Sequence, residues 1–364
     1  MDWYPLRLTT PAKPLVFGGH AIADRLGRTG IPDWGIAETW ECSDVDGNQG
    51  DVANGALAGQ SLRQVVTDHP DAVMGAGWSG DHFPLLTKFI DAAGTLPVHV
   101  HADDPTAQRL EGQQNGKTEA WHILDAAPGA TALCGVRAGV TEEELRRALR
   151  DQDFDAVLRR LPVRAGETIY VPGGTPHSFG PDTLVYEIEQ TSDISQHAMH
   201  WNMADGSPVP DEEFEANVEA LLAEVKLDIR PEFGPGLKVV VDDGVERVFL
   251  CASPYFALER WSAGTTAPLR HRFATAQILT NVGAPVEVRS GRTVEPLGRA
   301  KTMLLPAALG EVEIAGPADV LLGYLPDLRR DVFEPLVRAG HGPSVIALLG
   351  EGFATMTADA TDDS

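Results

Sequence analysis

Short apolar runs separated by turn residues set the rhythm of this chain. GETIYVP, TLVYEIEQ, LKVVVDD, RVFLCAS, APVEVRS, TMLLPA and ADVLLGYLP are too brief for packed helices. Several alternate apolar and polar positions, the period-two signature of a strand with unlike faces. The 37 glycines and 26 prolines are spread between them. Many short strands punctuated in this way predict an all-β fold, sandwich or barrel, with small helical insertions.

Helical spacing is confined to a few places. In TEEELRRALR, Thr141 precedes Glu144 by three residues, the pattern of a capping box. SLRQVVTDH is a second short candidate. DDPTAQRL offers Asp104 as a cap and Pro105 as the first helical residue. The strongest signal is PDEEFEANVEALLAEV, residues 210–225, where Phe214, Val218, Leu221, Leu222 and Val225 keep helical spacing. This helix divides the β-rich chain, giving an arm over 1–205, a helical linker over 206–232 and a shorter arm over 233–328. The remaining tail, 329–364, can begin as helix, and its acidic polar end reads as disordered.

Composition narrows the function classes. Hydrophobic content of 43% supports a sizeable core. The net charge of −24 argues against nucleic acid or an anionic membrane surface as a partner. An anionic substrate would need positive charge gathered locally. Three widely spaced cysteines, Cys42, Cys134 and Cys251, form no metal or disulfide pattern and suggest a reducing, cytoplasmic setting. No signal peptide or membrane-length apolar run is seen.

Candidate chemistry concentrates in three segments. LPVHVHADD places His99 and His101 on one strand face. GKTEAWHIL offers Glu119. GETIYVPGGTPHSFG carries Ile169 and Val171 on one strand face, then Pro172 and the Gly173–Gly174 pair, then His177. Glycines permit the sharp turn that would bring this histidine back toward the H-x-H strand. Imidazoles and one carboxylate converging inside a barrel suit a divalent cation. His122 is offset from Glu119 and is expected to face away. His20, His69, His82, His271 and His341 show no partner in the sequence.

These segments resemble the cupin superfamily, whose second motif fits Gly166 to His177 without a gap. More narrowly, the chain is similar to type I mannose-6-phosphate isomerases of the shorter bacterial kind. The resemblance runs from Tyr4-Pro5-Leu6 to Leu325-Pro326 and includes GIAETWECSD, FPLLTKFIDAAGTLPVHVHADD, VPGGTPHSFG and EIEQTSD. It implies two cupin jelly-roll domains, the first carrying zinc and the second without metal. The implied ligands are His99, His101, Glu119 and His177; His99 stands where the family has glutamine. An imidazole there makes manganese, iron, cobalt or nickel credible beside zinc. The implied substrate residues are Trp40, Glu38 and Lys88, with Lys117 on the face of Glu119.

The resemblance implies an aldose–ketose isomerase acting on mannose 6-phosphate through an enediol, with a small sugar phosphate as partner and a monomer or homodimer as the assembly. Lys117, its pKa lowered by a nearby cation, and His197, a neutral imidazole, are the candidate catalytic bases. The chain departs from the family in SDISQHAMHWNM, where His197 replaces an arginine and His200 an aspartate. Histidine cannot reproduce the charged fork of arginine on a phosphate. Three alternatives therefore stay open: phosphate held by Lys88, Lys117, Arg270 or Arg272; an unphosphorylated sugar as substrate; or a sugar-binding regulator without catalysis.

Overall fold

The computed structural model describes residues 1–241, 245–264 and 268–356. The first arm forms β1 (Leu6–Arg7), β2 (Ala12–Lys13), β3 (Glu38–Cys42), β4 (Leu85–Ala92), β5 (His99–Val100), β6 (Glu119–Ala126) and β7 (Thr131–Val136). It continues with β8 (Leu158–Pro162), β9 (Thr168–Val171), β10 (His177–Phe179), β11 (Thr183–Gln190) and β12 (Gln196–His197). The second arm forms β13 (Leu237–Val241), β14 (Val245–Ala252), β15 (Ala257–Ala263), β16 (Leu269–Arg272) and β17 (Gln277–Asn281). It ends with β18 (Val286–Ser290), β19 (Thr293–Leu297), β20 (Lys301–Leu305), β21 (Glu311–Ala315) and β22 (Ala318–Tyr324).

These strands make four sheets, ordered β12-β5-β10-β7-β8, β2-β3-β4-β11-β6-β9, β1-β20-β17-β22-β15-β14-β13 and β16-β21-β18-β19. Every pairing within them is antiparallel. The all-β expectation therefore holds, with a jelly-roll-like sandwich in each arm. β1 is the exception to the arm boundaries, because Leu6 and Arg7 pair with Leu304 and Met303 of β20.

Side-chain alternation explains how the sheets stack. In β11 every residue is buried, yet the two faces differ. Leu184, Tyr186 and Ile188 join a core that includes Leu258, Ile278 and Leu321 of the second arm. Val185 faces the opposite way, into a core shared with Ala132, Cys134 and Phe179 of the five-stranded sheet. The six- and seven-stranded sheets thus lie back to back, each covered on its other face by a smaller sheet. The second small sheet closes on Phe249, Leu279 and Leu322 through Val288, Leu297 and Ile314. Apolar burial on both faces is why these strands read as apolar runs with few exposed positions.

Helices cover the remaining faces. Glu142–Asp151 begins with the full Thr141–Glu144 capping box. Asp211–Glu224 buries Phe214, Val218, Leu221 and Leu222. Together they seal Val98, Val100 and Leu133 on the outer face of the five-stranded sheet. Ser61 caps Leu62–Asp68 by accepting from the Gln64 amide. At Asp104–Thr106 the cap is Asp103, one residue before the expected Asp104, because Asp103 Oδ1 accepts from the Thr106 amide.

Leu328–Phe333 and Glu334–Arg338 are helical and pack against the second sandwich. Val332, Phe333, Leu336, Ile346, Leu349 and Phe353, with Leu328 just before them, join the core of the second sandwich. The expectation of a disordered acidic end falls on 357–364, outside the described residues.

Candidate metal centre

The interior of the first sandwich carries polar residues where strand alternation would permit apolar ones. On the five-stranded sheet, His99 lies directly between His177 of β10 and His197 of β12 in cross-strand register. His101 follows two residues on, past the end of β5. On the facing sheet, Trp40, Lys88 and Glu187 form one register row across β3, β4 and β11. Glu189 pairs with Glu119 of β6 one step further along. Histidines of β5, β10 and β12 and carboxylates of β6 and β11 thus point into one space. The cavity between them measures about 280 Å³.

The ligating atoms of His99, His101 and His177 all lie within 4.8 Å of one another. Each ring is oriented by a backbone carbonyl. His99 Nδ1 lies 2.8 Å from Pro97 O, His101 Nδ1 2.7 Å from Ile194 O and His177 Nδ1 2.8 Å from Thr175 O. A carbonyl only accepts, so each Nδ1 donates and each Nε2 turns a lone pair inward, the state a metal ligand needs. His177 Nε2 is buried without a hydrogen-bond partner among the described residues. It stands 3.1 Å from Glu119 Oε1, and His101 Nε2 stands 3.3 Å from Glu119 Oε2. Trp121 Nε1 donates to Glu119 Oε1 at 2.8 Å and holds the carboxylate in place. Three aimed lone pairs and one oriented carboxylate are a donor set able to hold a divalent cation.

The charges around this set form one network. Lys117 Nζ lies 2.9 Å from Glu119 Oε2 and 2.8 Å from Glu189 Oε2. Lys88 Nζ lies 2.9 Å from Glu189 Oε1 and 3.2 Å from Glu187 Oε2. Burial would raise the Glu119 pKa, but Lys117 and the neighbouring histidines hold it well below the usual range. Burial and the charges of Glu189 and Glu119 push the Glu187 carboxyl well up. Burial would lower Lys117, yet Glu119 and Glu189 outweigh it and raise its pKa. The expected lowering of the Lys117 pKa is thus opposed by the carboxylates of the chain itself. His197 moves the other way, down to about 4, through burial and the Lys117 charge.

All nine residues singled out from the sequence line this cavity: Glu38, Trp40, Lys88, His99, His101, Lys117, Glu119, His177 and His197. Trp40 forms one wall, its Nε1 donating to Glu38 Oε2 at 2.8 Å. His200 is elsewhere, stacked on Phe214 at 3.7 Å between ring centres. Arg270 and Arg272 are also elsewhere, on β16 and paired with Glu313 and Glu311. His122 faces away as expected, bonding Thr168 Oγ1 at 2.8 Å and Arg260 at 3.4 Å. Several histidines without an evident sequence partner do have one. His69 meets Trp3, His82 meets Asp81, His271 meets Trp261 and His341 meets the Lys238 carbonyl.

Glu187, Glu189 and Lys13 belong to the site although sequence reasoning passed over them. Glu187 and Glu189 alternate on one face of β11, a pattern that also marks the half-exposed Glu311 and Glu313 of β21, so it did not by itself single them out. The second sandwich repeats part of the arrangement with different chemistry. Trp261 Nε1 donates to Glu259 Oε2 at 2.7 Å, as Trp121 does to Glu119. There the carboxylate is paired with the Arg247 guanidinium and accepts from Tyr324.

Fold and site together define a cupin-type protein with a candidate metal centre in its first half. No family model matches the chain. It is 31% identical to the mannose-6-phosphate isomerase ManA of Bacillus subtilis over 328 residues, 89% of this chain and all of that relative. It is 30% identical to the probable mannose-6-phosphate isomerase GmuF of the same organism, over 88% of this chain and 99% of the relative. The crystal structure of the Bacillus subtilis mannose 6-phosphate isomerase superimposes with a TM-score of 0.79 at 26% identity. That match covers 88% of this chain and 100% of the solved one. The chain belongs to the mannose-6-phosphate isomerase family.

Proposed function

We propose that the protein interconverts mannose 6-phosphate and fructose 6-phosphate. Family membership over nearly the whole chain supports the reaction, and the observation that carries it is the convergence of three inward-facing imidazoles, Glu119 and Lys117. A divalent cation held by His99, His101, Glu119 and His177, zinc before manganese, iron, cobalt or nickel, would supply Lewis acidity toward the sugar's oxygens.

The other residues have roles that follow from their surroundings. Isomerisation moves a proton between C2 and C1 of the sugar, so one group must take it and return it nearby. Lys117 and His197 are the proposed groups. His197 Nε2 meets only the Ser195 hydroxyl, at 3.2 Å, among the described contacts, and offers a neutral ring. Lys117 Nζ is fixed by two carboxylates and can donate without moving. Trp40 offers a flat apolar wall for a sugar face, and Glu38 and Lys88 offer partners for hydroxyls. A cytoplasmic setting is proposed on the three buried, unpaired cysteines. Among the described residues, no helix is long and apolar enough to cross a membrane.

The test is exchange of the C2 proton of mannose 6-phosphate in heavy water, followed by NMR on metal-loaded protein. Exchange together with fructose 6-phosphate formation is the expected result. No exchange would refute the proposal. One observation favours a second reading: the described residues lining the cavity include no arginine. If free mannose exchanges and the phosphate ester does not, an isomerase of unphosphorylated sugar replaces the first reading. Binding without exchange would point to a regulator.

A further inference from the structure

We infer that Lys13 anchors the phosphate of the substrate, an inference that rests on the isomerase activity proposed above. A protein of net charge −24 offers no general attraction for a dianion, so a local cation is required. The described residues lining the cavity include three lysines, Lys13, Lys88 and Lys117.

Two of the three are committed. Lys88 and Lys117 each lie within 3.2 Å of two carboxylates, and both are almost wholly buried. Drawing either ammonium away to a phosphate would strand a buried carboxylate, at a cost that defeats the gain.

Lys13 is placed differently. Its Nζ donates to the neutral Asn48 Oδ1 at 2.6 Å and stands 4.5 Å from the centre of the Trp40 ring. Among the described contacts it has no carboxylate within ion-pair distance. The amide and the ring face hold the ammonium in position while leaving its charge uncancelled. The side chain is half-buried, so the charge is less screened than that of a surface lysine.

Its position suits the chemistry of the substrate. Lys13 belongs to β2, the edge strand of the six-stranded sheet, and Glu119 belongs to β6 four strands away. Donor cluster and free cation therefore lie toward opposite ends of that sheet, with Trp40 of β3 and Lys88 of β4 on the strands between. A hexose 6-phosphate likewise carries its reacting carbons, C1 and C2, at one end and its charge at the other. A lysine on a flexible stem can thus serve where His197 stands in place of the family's arginine.

The experiment compares wild type with Lys13→Met, which keeps the stem and removes the charge, and Lys13→Arg, which restores a charge. KM and kcat for mannose 6-phosphate and inhibition by inorganic phosphate are measured for each. Lys13→Met should raise KM roughly 10- to 100-fold, the loss of one charge-assisted hydrogen bond, with a much smaller change in kcat. Phosphate inhibition should weaken in parallel, and Lys13→Arg should recover most of both. Unchanged KM and phosphate inhibition in Lys13→Met would overturn the inference. If wild type turns over no mannose 6-phosphate, the proposed function fails by itself. Broadening of the inorganic phosphate signal in phosphorus NMR then judges Lys13 separately: lost in Lys13→Met supports the anchor, and retained refutes it.

Discussion

Lys117 Nζ lies 2.9 Å from His101 Nε2, so an ammonium hydrogen points at a ring lone pair that faces the candidate metal centre. The same ammonium touches Glu119, so two of the four proposed donors already share a cation supplied by the chain. The proposed metal ligation and the proposed proton transfer therefore meet at this lysine, and substitution can separate the two.

Replacing Glu119 with alanine removes the carboxylate that faces both His101 and His177. Metal affinity should fall by more than about 100-fold, beyond the 10- to 100-fold usual for an outer partner of a ligand. Plasma-emission measurement of metal content after dialysis checks this. Stoichiometric metal retained by the variant would refute the ligand set.

Replacing Lys117 with methionine should leave metal bound and remove a proton donor. The C2 exchange rate of mannose 6-phosphate should drop by roughly 10²- to 10⁴-fold, the usual worth of general acid–base catalysis. Metal content and exchange rate measured on the same sample separate this loss from a loss of the ion.

His122 predicts a pH dependence of stability that arises outside the site and adds, with the same sign, to that of the buried site histidines. Burial, and then the Arg260 charge, lower its pKa to about 3 in the folded chain, from 6.5 unfolded. Folding thus favours the neutral ring. Its contribution is complete above pH 6.5 and is lost as pH falls toward 3, where the unfolded chain alone takes up the proton. The slope is at most about 1.4 kcal/mol per pH unit. Urea denaturation at pH 7.5 and 5.5 should show a smaller loss in His122→Asn than in wild type. Equal losses would show that His122 does not carry the effect.

Arg247 and Glu259 form an ion pair in the second sandwich, with Glu259 fully buried. Arg247→Met should destabilise the protein by about 3–5 kcal/mol, because the buried Glu259 loses its guanidinium counter-charge. Adding Glu259→Gln should recover a large part. Urea midpoints of the single and double variants decide it, and additive losses would count against the pairing.

The part of this molecule legible in the sequence is the part written in local alternation. His99 and His101 two apart, and His177 after the proline–glycine turn, carry their own geometry. The capping box at Thr141 and the apolar stripe of Asp211–Glu224 are equally local. What stayed hidden depends on which sheet covers which face. Glu187 and Glu189 look like the exposed half of a strand until the five-stranded sheet encloses them. Lys13 looks like a surface residue of a proline-rich opening until β2 pairs beside Trp40. Asp103 displaced Asp104 as a cap because Asp104 accepts from the Gly116 amide and from Gln190 instead. The pairing of β1 with β20 joins residues almost three hundred positions apart, which no local pattern reports.

The Glu259–Arg247 pair gives the two halves different dependence on their surroundings. In the second sandwich the counter-charge to the central carboxylate is part of the polypeptide, present from synthesis onward and indifferent to chelators. In the first, Glu119 has Lys117 beside it, but the proposed donor set would need in addition an ion taken from solution. Starvation for that ion should therefore silence the chemistry while leaving half of the protein, and the back-to-back contact it offers the other half, intact as a scaffold ready for reloading.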